Sequence, residues 1–448
     1  MNVSLRWFLL LICLSLANLA CEKSATTQEE NADIPKLLER SEATRQGKEW
    51  DQVQSFYAEN TNRLRQNPND QKSLLNLSEL FIQEARVTGE STHYYAAALK
   101  VLDKVLKGKP DNKDFEFRAL ANKASVLLSL HQFQMAYDAG QQAIALSPYN
   151  AQTYGILADA EVELGRYKDA VATADKMVSI RPDLRSYSRV SYLRQIYGDN
   201  KGAIEAMNLA TEAGYPGAEN TEWARVTLGD LLVNVGALEE AEEIYQTALA
   251  NRPEYPYAEI GLAKVAKAKG NYDEAIQHTE TAIRIMSLPA FVDQLSDLYE
   301  LKGDTKKAAE IRKDIVDLLK AAQKEESKDV QVKHNTAREL AMAYLKNNEL
   351  DPALEQALTD LKMRPDNIDA NELAAWIYFL KADYANAKLH ADKMLATNVK
   401  NANTLYKAGL IYTKAGDTAK GNQLLADAKK TSPYLDGTLT KYGNNILD

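Results

Sequence analysis

The sequence predicts an all-α fold of stacked helical hairpins, and three observations carry that expectation. The first is spacing. Pro148, Pro182 and Pro216 stand 34 residues apart, Pro365 and Pro433 twice as far, and one such step from Pro253 reaches Ser287, beside Pro289. The second is periodicity within the interval. In residues 222–255 the side chains of Leu228, Leu232 and Val235, then Leu238, Ala241, Tyr245, Ala248 and Leu249, recur at steps of three and four. That pattern gives each of two helices one buried stripe. The third is punctuation. Gly236 separates the stripes, where a helix end adopts the left-handed conformation cheaply, and Pro253 stops the second helix. Gly229 and Ala241 are small, as residues must be where two helices cross closely.

The elements follow in chain order. Residues 1–20 carry one positive charge, Arg6, ahead of an apolar run from Trp7 to Leu16 and then small residues, the layout of an export signal peptide. The run is about half of what a bilayer span requires, and no later stretch approaches that length. Leu16-Ala17-Asn18-Leu19-Ala20-Cys21 resembles the lipobox of bacterial lipoproteins, with Asn18 where leucine is usual. The resemblance implies cleavage before Cys21 and lipid attachment there. With Glu22 following where aspartate would retain the protein inside, it also implies an outer-membrane lipoprotein of the bacterial cell envelope, periplasmic or surface-facing. Cleavage after Ala17 is the alternative, because Ser15-Leu16-Ala17 fits the small-x-small rule. Of the two cysteines, Cys13 lies inside the apolar run and leaves with it. The mature chain then holds one thiol and no internal disulfide, so its fold rests on packing. Residues 21–33 are polar and aperiodic and read as a flexible tether.

From residue 34 the hairpins begin. Ala263, Gly270, Tyr272, Ala275 and Ala282 repeat the small–glycine–aromatic order of the unit before them, and Ala158, Gly165, Tyr167, Ala170 and Ala174 show it ahead of Pro182. Ala124, Ala136 and Ala143 precede Pro148, and Tyr192, Gly198 and Ala203 precede Pro216. Later units hold Ala341, Tyr344, Ala353 and Ala357; Ala375, Tyr378, Tyr384, Ala387 and Ala391; and Gly409, Tyr412, Gly416, Gly421 and Ala428. These residues resemble the tetratricopeptide repeat, a helix–turn–helix unit of about 34 residues. The resemblance runs from about residue 37 to 434 and implies a right-handed superhelical solenoid of about ten hairpins. That replaces the three domains or so that 448 residues would suggest.

Departures from the pattern set the expected boundaries. Between Asp70 and Pro110 the unit is stretched, read as an insertion of residues 85–92 between its helices. The unit with Tyr299, Gly303 and Ala308 lacks a closing proline, and its second helix runs on through the charged stretch 318–330. Residues 320–333 are expected to join an N-terminal solenoid, 34–319, to C-terminal repeats, 334–434, with 435–448 as a tail. The first unit, with Gly47 and Trp50, is degenerate, as a terminal cap should be. Pro35 and Pro352, each just behind an aspartate, read as helix starts.

Composition and motifs narrow the function. With 54 Lys+Arg against 63 Asp+Glu, the net charge is −9, and the acid excess argues against a nucleic-acid binder, which needs a basic face to neutralise phosphates. There is no GxxxxGK[ST], GxGxxG, HExxH, GxSxG or CxxC. His93, His131, His278, His334 and His390 are scattered, so neither metal nor cofactor nor enzymatic activity is expected. Acidic runs such as Glu239-Glu240 and Glu242-Glu243 read as a solvated helix face.

Function must then come from the surface. The resemblance implies that first helices line a concave groove, offering Arg189, Trp223, Asp230, Tyr257 and Lys264, then Arg338, Trp376, Phe379 and Tyr406. Aromatics with isolated charges suit an extended peptide or a partner helix. Trp223 and Trp376 could equally be packing aromatics, and Asp230 and Lys264 plain solvated charges. Gly155, Val226 and Ile260 stand where a carboxylate-clamping relative would carry lysine, against a receptor for C-terminal tails. The expectation is an exported, lipid-anchored, non-enzymatic scaffold for a protein or peptide, attached to the membrane by its lipid and binding no nucleic acid. The alternative is a groove receptor or carrier for a glycan or lipid, with Trp376, Phe379 and Tyr406 stacking on sugar rings.

Overall fold

A computed structural model describes residues 34–45, 47–326, 335–437 and 439. The signal peptide, Cys21, the tether, residues 327–334 of the expected joint and most of the C-terminal tail lie outside the described residues. Those residues form twenty-one α-helices and one short 3-10 turn, Glu42–Thr44, with no strand among them. Helix α1 (Glu49–Gln66) stands alone. Ten hairpins follow: α2 (Gln71–Thr88) with α3 (Ser91–Lys107), α4 (Lys113–Ser129) with α5 (Phe133–Leu146), α6 (Ala151–Glu163) with α7 (Tyr167–Ile180), α8 (Leu184–Ile196) with α9 (Asn200–Glu212), and α10 (Glu219–Asn234) with α11 (Leu238–Asn251). The chain continues with α12 (Pro256–Ala268) and α13 (Tyr272–Ile285), α14 (Pro289–Lys302) and α15 (Thr305–Glu326), α16 (Ala337–Lys346) and α17 (Leu350–Met363), α18 (Ile368–Leu380) and α19 (Tyr384–Met394), and α20 (Ala402–Lys414) and α21 (Thr418–Thr431).

The small residues of the repeat explain how the helices close on one another. Tyr245 of α11 is fully buried, and its ring fills the space that a Cβ at Gly229 or Gly261 would need: the nearest ring atoms would lie 2.4 and 2.3 Å away. Alanine at either glycine would therefore push apart three packed helices. First helices start on side-chain caps: Asn112, Asn150, Asn367 and Asn401 each accept a backbone N–H, and Asp183 forms a capping box with Ser186. Pro256 and Pro289 occupy first-turn positions, where their missing N–H costs nothing.

Three expectations change. Residues 85–92 are no insertion between helices, because α2 and α3 are themselves lengthened and only a tight bend at Gly89 separates them. Pro35 lies in irregular chain rather than at a helix start, whereas Pro352 does lie in the first turn of α17. The long second helix is real, since α15 spans 22 residues. The core also runs on past it: Ile315, Val316 and Leu319 of α15 pack with Leu340 and Ala343 of α16.

Curvature follows from which helices touch. First helices contact the first helices of neighbouring hairpins (α2 with α4, α4 with α6, α10 with α12, α18 with α20), while successive second helices share no comparable contact. The first helices thus form the inner wall and the stack coils around it. After six hairpins the coil meets itself. The bend within one hairpin touches the link preceding the sixth hairpin onward, about 200 residues later. Asn335 donates its N–H to the Leu130 carbonyl (3.0 Å), the Asn367 amide donates to the Val162 and Glu163 carbonyls (3.3 and 3.1 Å), and Asn200 donates to the Lys400 carbonyl (2.9 Å). Gly89 lies against Met286 and Leu288, and Gly236 against Pro433. Arg252 reaches Glu49 at 3.6 Å. Six consecutive bends are seated in this way.

Candidate interaction surface

Ion pairs run along the inner wall from one first helix to the next. Arg189 on α8 donates to Asp159 on α6 through Nε (2.9 Å) and Nη2 (2.5 Å), and Nε also reaches the Gly155 carbonyl (3.0 Å). Lys264 on α12 donates to Asp230 on α10 (2.7 Å), whose same oxygen accepts the Tyr245 hydroxyl (2.7 Å). Lys346 on α16 bridges Asp293 and Asp297 on α14 (2.6 and 2.7 Å), Arg338 lies 4.0 Å from Asp369, and Lys407 on α20 binds Glu372 on α18 (2.7 Å). Half-exposed pairs of this kind each contribute about 0–1 kcal/mol, so their effect is geometric: they brace neighbouring hairpins. Burial works to raise the Glu372 carboxyl, but Lys407 and the Thr404 hydroxyl outweigh it and its pKa is lowered. Burial wins at Asp369, which is raised although Arg338 opposes it.

The predicted groove residues therefore divide. Arg189, Asp230 and Lys264 are braces, each already satisfied by a neighbouring hairpin. Tyr257 is half-buried, edge-on to Tyr255 and Phe291 with ring centres 5.4 and 5.7 Å away. Trp376, Phe379 and Tyr406 are buried in the core of the last two hairpins. The Trp376 and Phe379 rings stack on each other at 5.0 Å, with the Lys407 ammonium 6.0 Å above the indole. They offer no open ring face, and the sugar-stacking role expected for them has no platform. Trp223, on α10, keeps 41% of its surface exposed, and Arg338 is partly open beside Asp369.

Residues that sequence reasoning passed over complete the wall. Arg185 makes no ion pair among the described residues, and burial, then the charge of Arg189, depresses its pKa, with Arg86 and Arg181 adding to the effect. Arg364 is buried, bonded to Asp360 (2.8 and 2.7 Å) and across the seam to Glu163 (2.5 Å). Burial pushes Glu163 up. The Arg364–Glu163 contact joins residues 201 positions apart, so no residue spacing within one repeat announces it.

A cavity of about 1080 Å3 lies in the seam between the two superhelical turns, lined by Leu127, His131, Phe133, Met135, Lys320 and Met363. Among the described residues no cluster of three or more His, Cys, Asp or Glu could hold a metal ion, and no helix is long and apolar enough to cross a membrane. His278 is paired with Glu259 (2.6 Å) and His390 with Asn371 (2.8 Å), which accounts for both structurally. His334 lies outside the described residues.

Comparison with known proteins agrees with this geometry. A tetratricopeptide repeat family model matches residues 232–286, which covers α11, α12 and α13. No curated protein matches the chain. Solved structures that resemble it include a tetratricopeptide repeat protein of Thermus thermophilus, 20% identical over 47% of this chain and 99% of that one, with a TM-score of 0.35. Another from Parabacteroides merdae is 16% identical over 58% and 97%, with a TM-score of 0.38. Human IFIT1, solved as a dimer with m7Gppp-AAAA, is 14% identical over 85% and 86%, with a TM-score of 0.45. At these identities the likeness concerns fold alone. Residues 232–286 carry a tetratricopeptide repeat, and the helical hairpins on either side continue the same all-α solenoid.

Proposed function

We propose that the chain is an exported, lipid-anchored, non-enzymatic scaffold that holds a protein or peptide partner along its inner wall at the outer membrane of a bacterial envelope. Repeats of this kind generally serve protein interaction. The observation that carries the reading is the contrast on that wall: Arg189 and Lys264 are braced by carboxylates, while Arg185 has no ion pair among the described residues and Trp223 is exposed on a neighbouring first helix. A free guanidinium with an exposed indole suits an extended segment carrying a carboxylate and an apolar side chain. Export and anchoring rest on Arg6, the apolar run and Cys21.

Affinity capture from the native cells tests the scaffold. The wild type should retain a partner that the Arg185→Ala, Trp223→Ala variant loses with its melting temperature unchanged; equal retention by both would refute the wall as the binding face. Labelling with a fatty acid should mark the wild type and not Cys21→Ser. Equal labelling, or none in either, would overturn the anchor.

A further inference from the structure

We propose that the protein stacks head to tail on a second copy of itself, with the links of the first superhelical turn in one copy seated on the bends of the second turn in the next. The proposal stands independently of export and anchoring. Its basis is the seam that already exists inside one chain. Among the described residues, six bends of the first turn receive six links of the second, which leaves five links unseated at one end (around Pro68, Pro110, Pro148, Pro182 and Pro216) and five bends without a link at the other (around Gly270, Gly303, Asn348, Ala382 and Gly416), the first two flanked by Asp436 on Lys267 (2.7 Å) and Gly437 beside Leu301. The two free edges are of the two kinds that fit each other along the seam.

Sequence identity between free and seated links sharpens this. Ser432-Pro433-Tyr434 sits on the bend at Gly236, where a Cβ would be 2.9 Å from Pro433 and 3.6 Å from Tyr434. The same tripeptide, Ser147-Pro148-Tyr149, lies on the free edge, with Tyr149 80% exposed. Arg364-Pro365-Asp366 sits on the bend at Gly165, and Arg181-Pro182-Asp183 repeats it on the free edge. Arg364 is buried in the seam, whereas the Arg181 side chain is 74% exposed. Tyr215, 84% exposed, is on a third free link; it and Tyr149 are the most exposed large apolar side chains among the described residues.

The receiving edge shows the matching vacancy. Gly270, Gly303 and Gly416 adopt the same left-handed bend as Gly89, Gly165, Gly198 and Gly236, but no atom of the described residues lies within 4 Å of where their Cβ would be. Continuing the step of six hairpins sets the register: the Pro182 link of one copy falls on the Ala382 bend of the other. There Tyr384 occupies the position from which Tyr167 accepts the Ile368 N–H (2.7 Å) within the chain. Such an interface joins unlike surfaces, so it repeats from copy to copy and yields open stacks or rings rather than a closed symmetric pair.

Sedimentation velocity of the purified full chain across a concentration series tests this. The wild type should show concentration-dependent association that is lost in Tyr149→Arg with Arg181→Glu (links) and equally lost in Lys302→Trp with Lys381→Trp (bends). Mixing the two variants restores one intact interface and should yield dimers and nothing larger. A wild type that stays monomeric overturns the proposal, as does a link or bend variant that still self-associates, or a mixture that does not pair. Tyr215→Arg alone serves as a second link variant should the first pair disturb folding, which circular dichroism melting reports; unaltered association in a folded Tyr215→Arg chain would also count against the interface.

Discussion

Gly165→Ala tests the contact between superhelical turns, and Gly270→Ala is its control. Both glycines hold left-handed bends, at φ +77° and +80°. A side chain at either position costs about 1–2 kcal/mol of backbone strain. Only at Gly165 does the added Cβ meet another part of the chain, 2.5 Å from the Asp366 carbonyl carbon, 2.7 Å from its oxygen and 2.9 Å from the Asn367 nitrogen; at Gly270 it meets nothing within 4 Å. Backbone at 2.5 Å has to move, and overpacking of that kind adds about 1–3 kcal/mol. Moving Asp366 also lengthens the Asn367 amide bonds to Val162 and Glu163 and the Ile368 N–H bond to Tyr167, each contributing about 0.5–1.5 kcal/mol. Gly165→Ala should therefore cost about 1–3 kcal/mol more than Gly270→Ala. Urea denaturation read as the shift in midpoint at constant slope gives the difference, and hydrogen exchange at residues 366–368 should accelerate in Gly165→Ala alone. Equal costs for the two variants, with unchanged exchange at 366–368, would show that the turns do not touch.

Three further perturbations have definite signs. Arg40 is buried against Glu84 (2.9 and 2.6 Å) and also bonds Glu49 (2.9 Å), so Arg40→Met strands a buried carboxylate. A loss of about 3–5 kcal/mol is expected from thermal melting, with early protease cleavage before α1. Lys346→Met leaves Asp293 and Asp297 facing each other half-buried and should cost about 2 kcal/mol at neutral pH, less than a fully buried pair because water reaches the site. Burial holds the Asp293 pKa above its unfolded value of 3.8, so the group disfavours folding at higher pH and is relieved on protonation; the cost of Lys346→Met should shrink as pH falls toward 3.8. The Glu259 hydrogen bond, with the charge of Glu259, raises His278 above 6.5 despite burial. Its stabilisation is complete below pH 6.5 and is lost as pH rises through the raised value, so His278→Gln should remove that part of the decline in melting temperature on the alkaline side.

Much of the fold could be read from the chain because a repeat writes its local packing many times. Gly236 and Pro253 mark a bend and a stop, and Ala241, Tyr245 and Ala248 mark the stripe, whichever hairpin is taken. The long α15 was legible for the same reason, as a repeat that fails to stop. Residues 85–92 misled because extra residues in a hairpin are equally consistent with a loop or with two longer helices. The candidate wall was less legible. Whether a side chain on a first helix is open depends on what the next hairpin supplies: Lys264 satisfies Asp230, and α18–α21 close over Trp376 and Phe379. The seam was not legible within one repeat, since Gly165 and Asp366 are brought together only by the accumulated angle of six hairpins.

The seam changes what kind of partner the wall admits. In an open solenoid each repeat touches only its neighbours, and a ligand enters between coils as well as along the axis. Here six consecutive bends are seated on links, and at Gly165, Gly198 and Gly236 backbone or proline lies where a Cβ would be, so those stretches leave no gap for a folded domain. The seam is loosest beside Leu130 and His131, where α15 overruns and the cavity of about 1080 Å3 lies. Arg185 and Trp223 belong to the tightly seated stretch, between the bends at Gly165 and Gly236. Side entry through the coil is closed to them, and access along the axis favours a single extended segment over a globular surface. The same contacts link residues about 200 positions apart, so losing one hairpin should release its partner six hairpins on, and unfolding should be more cooperative than nearest-neighbour stacking alone would give.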